Sequence, residues 1–174
     1  MHIVLTHEQA DFDALASLLG AHLLEVGSLP VLPRRINRNV EGYINLHGHG
    51  FPYIDPRDLP KGKIDRVTLV DTQSLITIKG LQKKAKINII DHHPQKDNLP
   101  KDWSLQINNT GATITLIVEA LREREVPLTA VVATLMLLGI YEDTGGLIYA
   151  NTSARDLSAA AYLLERGGDL SVVG

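Results

Sequence analysis

Three short apolar runs, each followed at once by acid or imidazole, constrain this chain more than anything else in it. Ile3-Val4-Leu5-Thr6 leads into His7-Glu8-Gln9-Ala10-Asp11-Phe12-Asp13, Val67-Thr68-Leu69-Val70 into Asp71, and Ile87-Asn88-Ile89-Ile90 into Asp91-His92-His93. Runs this short, continuous and β-branched read as strands buried on both faces rather than as helices. Leu29–Leu32 and Leu105–Ile107 read as two more strands. Between and after them, helical spacing predicts helices over Asp13–Val26, Leu75–Lys84, Thr113–Glu125, Leu128–Tyr141 and Ser153–Glu165. Gly27 and Gly167-Gly168 serve as stops and Ser153 as an N-cap. The stretch Asn37–Lys63 is rich in Gly and Pro and reads as loop, with a helical turn or two near Val40–Leu46. Alternating strands and helices predict the α/β class: a Rossmann-like open parallel sheet of about five strands, with helices on both faces.

Composition narrows the chemistry. The 174 residues suit one domain and are 44% hydrophobic, too apolar for a disordered chain. Without cysteine there is no disulfide, thiolate metal site or cysteine nucleophile. A net charge of −3 and 5% aromatics argue against a broad nucleic-acid footprint or a base-stacking platform. No run approaches the roughly 18 apolar residues of a membrane span. The first residues lack the basic start of a signal peptide, so the expected location is the cytoplasm. The apolar tail Asp169–Gly174 reads as a cut through a longer protein.

In open α/β sheets, ligands bind beyond the carboxyl ends of the strands. The segments after the first, third and fourth strands, together with Glu142-Asp143-Thr144-Gly145 after the helix Leu128–Tyr141, should therefore meet at one edge. Singly, each residue has an ordinary use: Asp71 in a turn, Asp13 as a helix cap, His92-His93 as a solvated pair. Together, five carboxylates and three histidines at one edge would repel, and cations remove that cost. Imidazole and carboxylate without sulfur suit Mn²⁺ first, then Mg²⁺, Co²⁺ or Zn²⁺. One Asp can bridge two ions, which suits a two-metal site that clamps a phosphoryl oxygen and generates hydroxide at neutral pH.

This order of motifs resembles the DHH family of phosphoesterases: HxxxDxD at His7–Asp13, Asp71 after a buried strand, the name motif Asp91-His92-His93, and Asp143-Thr144-Gly145. The resemblance implies His7 and Asp11 on one ion, Asp13, His92 and Asp143 on the other, and Asp71 bridging. It implies His93 beside the bridging water or the substrate phosphate, as contact or proton donor, and Asp91 orienting a histidine. Ala10 stands where many members carry proline; that position supplies backbone, not a ligand. The implied reaction is hydrolysis of a phosphodiester or phosphoanhydride by a metal-bridging hydroxide. The implied substrate is a phosphorylated small molecule or short single-stranded nucleic acid: an oligonucleotide, cyclic dinucleotide, nucleotide or pyrophosphate. Long duplex nucleic acid and membranes are not expected partners, and a homodimer stays open. Members usually carry a second, C-terminal domain that closes over the site, so 1–174 is expected to be a single catalytic domain without it. The nearest likeness is to the N-terminal module of longer bacterial chains carrying a tRNA-end or poly(A) nucleotidyltransferase. The competing reading is a non-catalytic nucleotide- or metal-binding regulatory module of such a chain.

Other features have plainer uses. Asn108–Thr113 opens a helix that is either capped by Thr110 or Asn109 or binds a phosphate. Arg34, Arg35 and Arg38 form a solvated loop or contact a nucleotide phosphate. Lys79, Lys83, Lys84 and Lys86 suit the end of a helix. His47-Gly48-His49-Gly50 reads as loop, His22 as structural and Trp103 as core, while Glu142 is either a supporting carboxylate or a surface acid.

Overall fold

The computed structural model describes residues 1–173. In chain order the elements are β1 (His2–Leu5), α1 (Phe12–Leu24), β2 (Leu29–Pro30), α2 (Arg38–His47), β3 (Ile64–Val70), β4 (Leu81–Asp91), β5 (Ser104–Ile107), α3 (Thr113–Glu123), α4 (Ala130–Asp143), α5 (Ala154–Glu165) and a closing 3₁₀ turn, Leu170–Val173. The five strands form one sheet in the order β2-β1-β3-β4-β5, parallel throughout. The α/β class, the strand number and the parallel pairing are as expected.

Side chains alternate across the sheet, as the pleat requires. Val4, Val70 and Ile90 enter the core on one face, packed with Leu15, Leu18, Ile114, Ile117, Leu135 and Met136 of the helices. Ile3, Leu5, Val67, Leu69, Ile87 and Ile89 point to the other face. The expectation of helices on both faces does not hold there. All five helices contribute to the first cluster; the second is covered by Leu59, Leu75, Ile78, Leu99 and Trp103 from connecting segments. The reason is topological: β3 joins β4, and β4 joins β5, through segments without a helix.

The expected helix over Leu75–Lys84 is likewise absent. Gly80 takes φ 94°, its carbonyl accepts from the Ile64 amide, and β4 starts at Leu81. Ala85, Ile87 and Ile89 repeat at a period of two and, with Leu81, pack on the loop-covered face, so burial of that strand face overrides local helix propensity. Lys83, Lys84 and Lys86 therefore lie on a strand and serve no helix dipole. Conversely, Arg38–His47 forms a full helix within the expected loop, seated by buried Val40 and Tyr43. Among the described residues, no helix is long and apolar enough to cross a membrane.

A close approach sets the helical layer. A Cβ at Gly139 would lie 3.1 Å from the Cα of Asp13, so glycine there lets α4 lie directly on the start of α1. That contact brings Asp143, the last residue of α4, to the sheet edge that α1 starts from.

Candidate metal centre

The strand order reverses between β1 and β3, and the crevice at such a switch point is where open parallel sheets bind ligands. His7, two residues beyond β1, meets Asp71, one residue beyond β3, across that point: His7 Nε2 lies 3.1 Å from Asp71 Oδ2. Asp71 takes φ 55°, a left-handed conformation that Asp tolerates better than most residues, while its amide still donates to the Ile90 carbonyl. The turn thus aims the Asp71 carboxylate along the edge. Its Oδ1 accepts from the Thr113 hydroxyl (2.8 Å) and lies 3.7 Å from His92 Nε2 and 3.6 Å from His93 Nδ1.

Two carboxylates from α1 complete the edge. Asp11 is the N-cap of α1 and accepts from the Ala14 amide. Asp13, fully buried, accepts from the amides of Thr113 and Ile114, both at 2.7 Å. The open first turn of α3 is therefore satisfied by Asp13, not by Thr110, Asn109 or a phosphate. Thr110 instead donates its hydroxyl to the Ala112 carbonyl. Glu142 accepts from the Phe12 amide (2.7 Å), so it supports the start of α1.

The histidines share one orientation logic. Nδ1 of His7 faces the Glu8 carbonyl, Nδ1 of His92 the Thr110 carbonyl, and Nδ1 of His93 the Asp91 carboxylate. Since each partner only accepts, each Nδ1 carries a proton and donates, so Nε2 is the nitrogen that each ring could give to a metal once any proton on it has left. For His92 that nitrogen is buried and has no hydrogen-bond partner. It faces Asp143 Oδ2 at 3.3 Å, Asp71 Oδ1 at 3.7 Å and Asp13 Oδ2 at 4.0 Å. A buried ring nitrogen that lacks a hydrogen-bond partner and is surrounded by carboxylates is where a cation would sit, so the donor set fits divalent metal. Three groups offer ligand atoms within 4.8 Å of one another: His7, Asp11 and Asp71; Asp13, His92 and Asp143; and Asp71, His92 and His93.

The electrostatics agree with that fit. The hydrogen bond to Asp71 raises the His7 imidazole to about 9. Burial opposes charge on His92, but Asp143, the Thr110 carbonyl and Asp71 outweigh it and raise that ring to about 9 as well. Burial, with Asp71 and Asp143 nearby, pushes Asp13 well above the usual carboxylate range, and burial also raises Asp11. In other words, the side chains alone hold protons where a cation would neutralise them better.

The structure thus brings His7, Asp11, Asp13, Asp71, Asp91, His92, His93 and Asp143 to one edge. His47 and His49 stay outside it: His47 ends α2 and packs on Tyr43. His22 bonds the Ser28 carbonyl, a structural use. Residues the sequence did not mark include Gln73, whose amide donates to Asp91 Oδ2 (2.7 Å) and to the carbonyls of His93 and Pro94, and whose oxygen accepts from the Lys96 amide. Thr113 also joins two site segments, accepting from the His92 amide while donating to Asp71. Neither sits in a motif; only the position of Gln73 two residues past Asp71, and of Thr113 at a helix start, hints at either.

Residues 2–140 match the model of the DHH family, N-terminal domain. Over 179 residues the chain is 34% identical to the A-adding tRNA nucleotidyltransferase of Geobacter sulfurreducens, covering 99% of this chain and 20% of that protein. It is 36% identical over 84 residues to the bifunctional oligoribonuclease and PAP phosphatase NrnA of Mycoplasma genitalium, covering 48% of this chain and 26% of that protein. The crystal structure of a putative family II inorganic pyrophosphatase of Methanococcus jannaschii shares the fold, with TM-score 0.74 and 24% identity over 96% of this chain and 56% of that one. The chain spans about a fifth to a quarter of the length of these two curated relatives. The family match runs from β1 into α4, with Asp91-His92-His93 at the end of β4, and on that ground the chain belongs to the DHH family.

Proposed function

We propose that this chain is a divalent-metal-dependent phosphoesterase that hydrolyses a phosphodiester or phosphoanhydride. In this reading His7, Asp11 and Asp71 hold one ion, and Asp13, His92 and Asp143 the other, with Asp71 between them. The observation that carries the reading is His92: its Nδ1 is fixed by the Thr110 carbonyl while its buried Nε2 has no partner among three carboxylates. Bound divalent ions supply Lewis acidity and lower the pKa of water near them.

The side chains do the remaining work. Asp71 presents its two oxygens to different histidines, His7 through Oδ2 and His92 through Oδ1, which suits a bridging carboxylate. Asp91, itself held by Gln73, fixes the His93 ring and raises its basicity. His93 is half exposed at the cavity lined by His7, Asp11, Asp71 and Asp143, so it is placed to contact a phosphoryl oxygen or hand a proton to the leaving oxygen. Manganese is the ion proposed first, because carboxylate-rich sites with imidazole favour it over Mg²⁺. The substrate is proposed to be a nucleotide, short oligonucleotide or pyrophosphate, following the names of the relatives.

The test is to count Mn²⁺ bound to chelator-stripped protein by calorimetry and to follow hydrolysis of bis(p-nitrophenyl) phosphate. Two ions and metal-dependent turnover are expected, with both impaired in His92→Ala. No specific Mn²⁺ binding would overturn the reading. A second reading, a nucleotide-binding regulatory module of a nucleotidyltransferase chain, is favoured by the 34% identity across nearly the whole chain. Two bound ions without turnover on any phosphoester tried would select it.

A further inference from the structure

We propose that the arginine-lined cleft beside the metal centre is a second phosphate site. It would hold a non-scissile phosphate of a multiply phosphorylated substrate. This rests on the phosphoesterase reading for the identity of the ligand, but its evidence is separate.

The cleft has a cavity volume of about 1130 Å³ and is lined by Arg34, Arg35, Arg38 and Arg57, with Gln9, Asn37, Glu41 and Asp55 among its other walls. Arg57 is neutralised by a two-pronged pairing with Asp55. Arg34, Arg35 and Arg38 are exposed and have no carboxylate partner among the described residues. In a chain of net charge −3, three unpaired guanidinium groups around one cleft form a local positive field. Guanidinium matches phosphate in shape as well as charge. The start of α2, with Asn37 and Arg38 on the cleft wall, adds its positive dipole end.

Position relates this cleft to the chemistry. The loop from His7 to Asp11 is the partition between the two cavities. His7 and Asp11 line the metal-side cavity, and Gln9, at φ 59°, lines the arginine cleft. Gln9 stands two positions along the chain from either ligand, at most about 7 Å between α-carbons. The arginine segment is also locked to that loop. The Gln9 amide donates to the Arg35 carbonyl, the Asn37 amide to the Ala10 carbonyl, and the Arg35 amide to Glu8. Two backbone–backbone bonds and one to the Glu8 carboxylate fix the segment and leave the three arginine side chains free to reach a ligand. A substrate with one phosphate at the metals would cross this one loop to set its next phosphates in the cleft. A strand of nucleotides and a compact polyphosphate share that chemistry.

The experiment measures binding without catalysis. A fluorescent 5′-phosphorylated trinucleotide is titrated by anisotropy into the whole chain after its metals have been stripped and the chelator removed. The wild type, Arg34→Gln/Arg38→Gln and Arg34→Lys/Arg38→Lys are compared across salt concentrations. The glutamine pair is expected to weaken binding at least tenfold and to make the salt slope shallower by about 1 to 2. The lysine pair is expected to retain part of the affinity. Competition by unlabelled pyrophosphate identifies a compact polyphosphate as the occupant; lack of competition identifies the strand. Unchanged affinity in the glutamine pair, or no binding by the wild type, overturns the proposal. Hydrolysis of bis(p-nitrophenyl) phosphate by the remetallated wild type reports on the phosphoesterase reading alone, so the two ideas fail separately.

Discussion

Asp71 combines a left-handed backbone, a hydroxyl donor from Thr113 and a carboxylate shared between two imidazoles. Asn keeps the shape and tolerates that backbone but loses the charge. Asp71→Asn should therefore leave the circular dichroism spectrum of the stripped protein nearly unchanged, while lowering its melting temperature at neutral pH because the raised imidazoles of His7 and His92 lose a charged partner. It should cut Mn²⁺-dependent hydrolysis about a thousandfold or more; near-normal turnover would remove Asp71 from the metal centre. Gln73 touches no proposed ligand directly but steadies Asp91 and the backbone after His92. Gln73→Ala should lower activity by about 10–100-fold, the usual effect of losing such a support, with the ion count kept. Titration adds a further check. His7 and His92 titrate near 9 when folded against about 6.5 when unfolded. A raised folded value stabilises fully below about 6.5 and is lost as pH climbs through about 9. The urea midpoint of stripped protein should thus fall across that interval, while Mn²⁺ affinity rises as protons leave the ligand nitrogens. A flat stability profile from pH 6.5 to 9 would contradict these proton assignments.

One buried acid, Asp156, ties helix α5 to α3 from the inside, beside the Arg155–Glu119 ion pair on the surface. Asp156 accepts from the amides of Gly111 and Ser153 and from the hydroxyls of Ser153 and Thr115. Asp156→Ala leaves those buried donors unpaired and should cost about 1–3 kcal/mol or more in urea unfolding. A loss below about 0.5 kcal/mol would mean that water replaces the carboxylate. Nothing in the sequence flags Asp156 beyond its place three residues after Ser153, where a capping box would put an acid. The same limit explains what was legible and what was not. β1, β3, β4 and the helices α1, α3, α4 and α5 announce themselves by continuous apolar runs or by helical spacing, because burial selects those patterns. Lys83, Lys84 and Lys86 disguise the first half of β4, since its pairing with Ile64 is a long-range fact that no local window contains. The eight candidate site residues could be singled out because each lies at or beside the end of an element. Thr113, Gln73 and the Asp13 cap on α3 were not, because they depend on which ends meet in space.

Across the molecule, the candidate ligands come from the ends of β1, β3 and β4, the start of α1 and the end of α4. Ions held there would tie the folded arrangement together and have nothing comparable to bind in the unfolded chain. At a hundredfold excess of Mn²⁺ over its dissociation constant, each site should stabilise by about 2.7 kcal/mol. That corresponds to a rise in melting temperature of roughly 5–10 °C for a chain of this size. Differential scanning calorimetry with and without Mn²⁺ checks this, and an unchanged melting temperature would argue against native ion sites. Asp13 gives the coupling a local reporter. Its carboxylate holds the first two amides of α3, Thr113 and Ile114, while its Oδ2 faces His92. An ion drawing on that carboxylate would alter how tightly it grips those two amides. Deuterium uptake at Thr113 and Ile114 therefore becomes a clock for ion occupancy, readable by exchange spectroscopy with no substrate present.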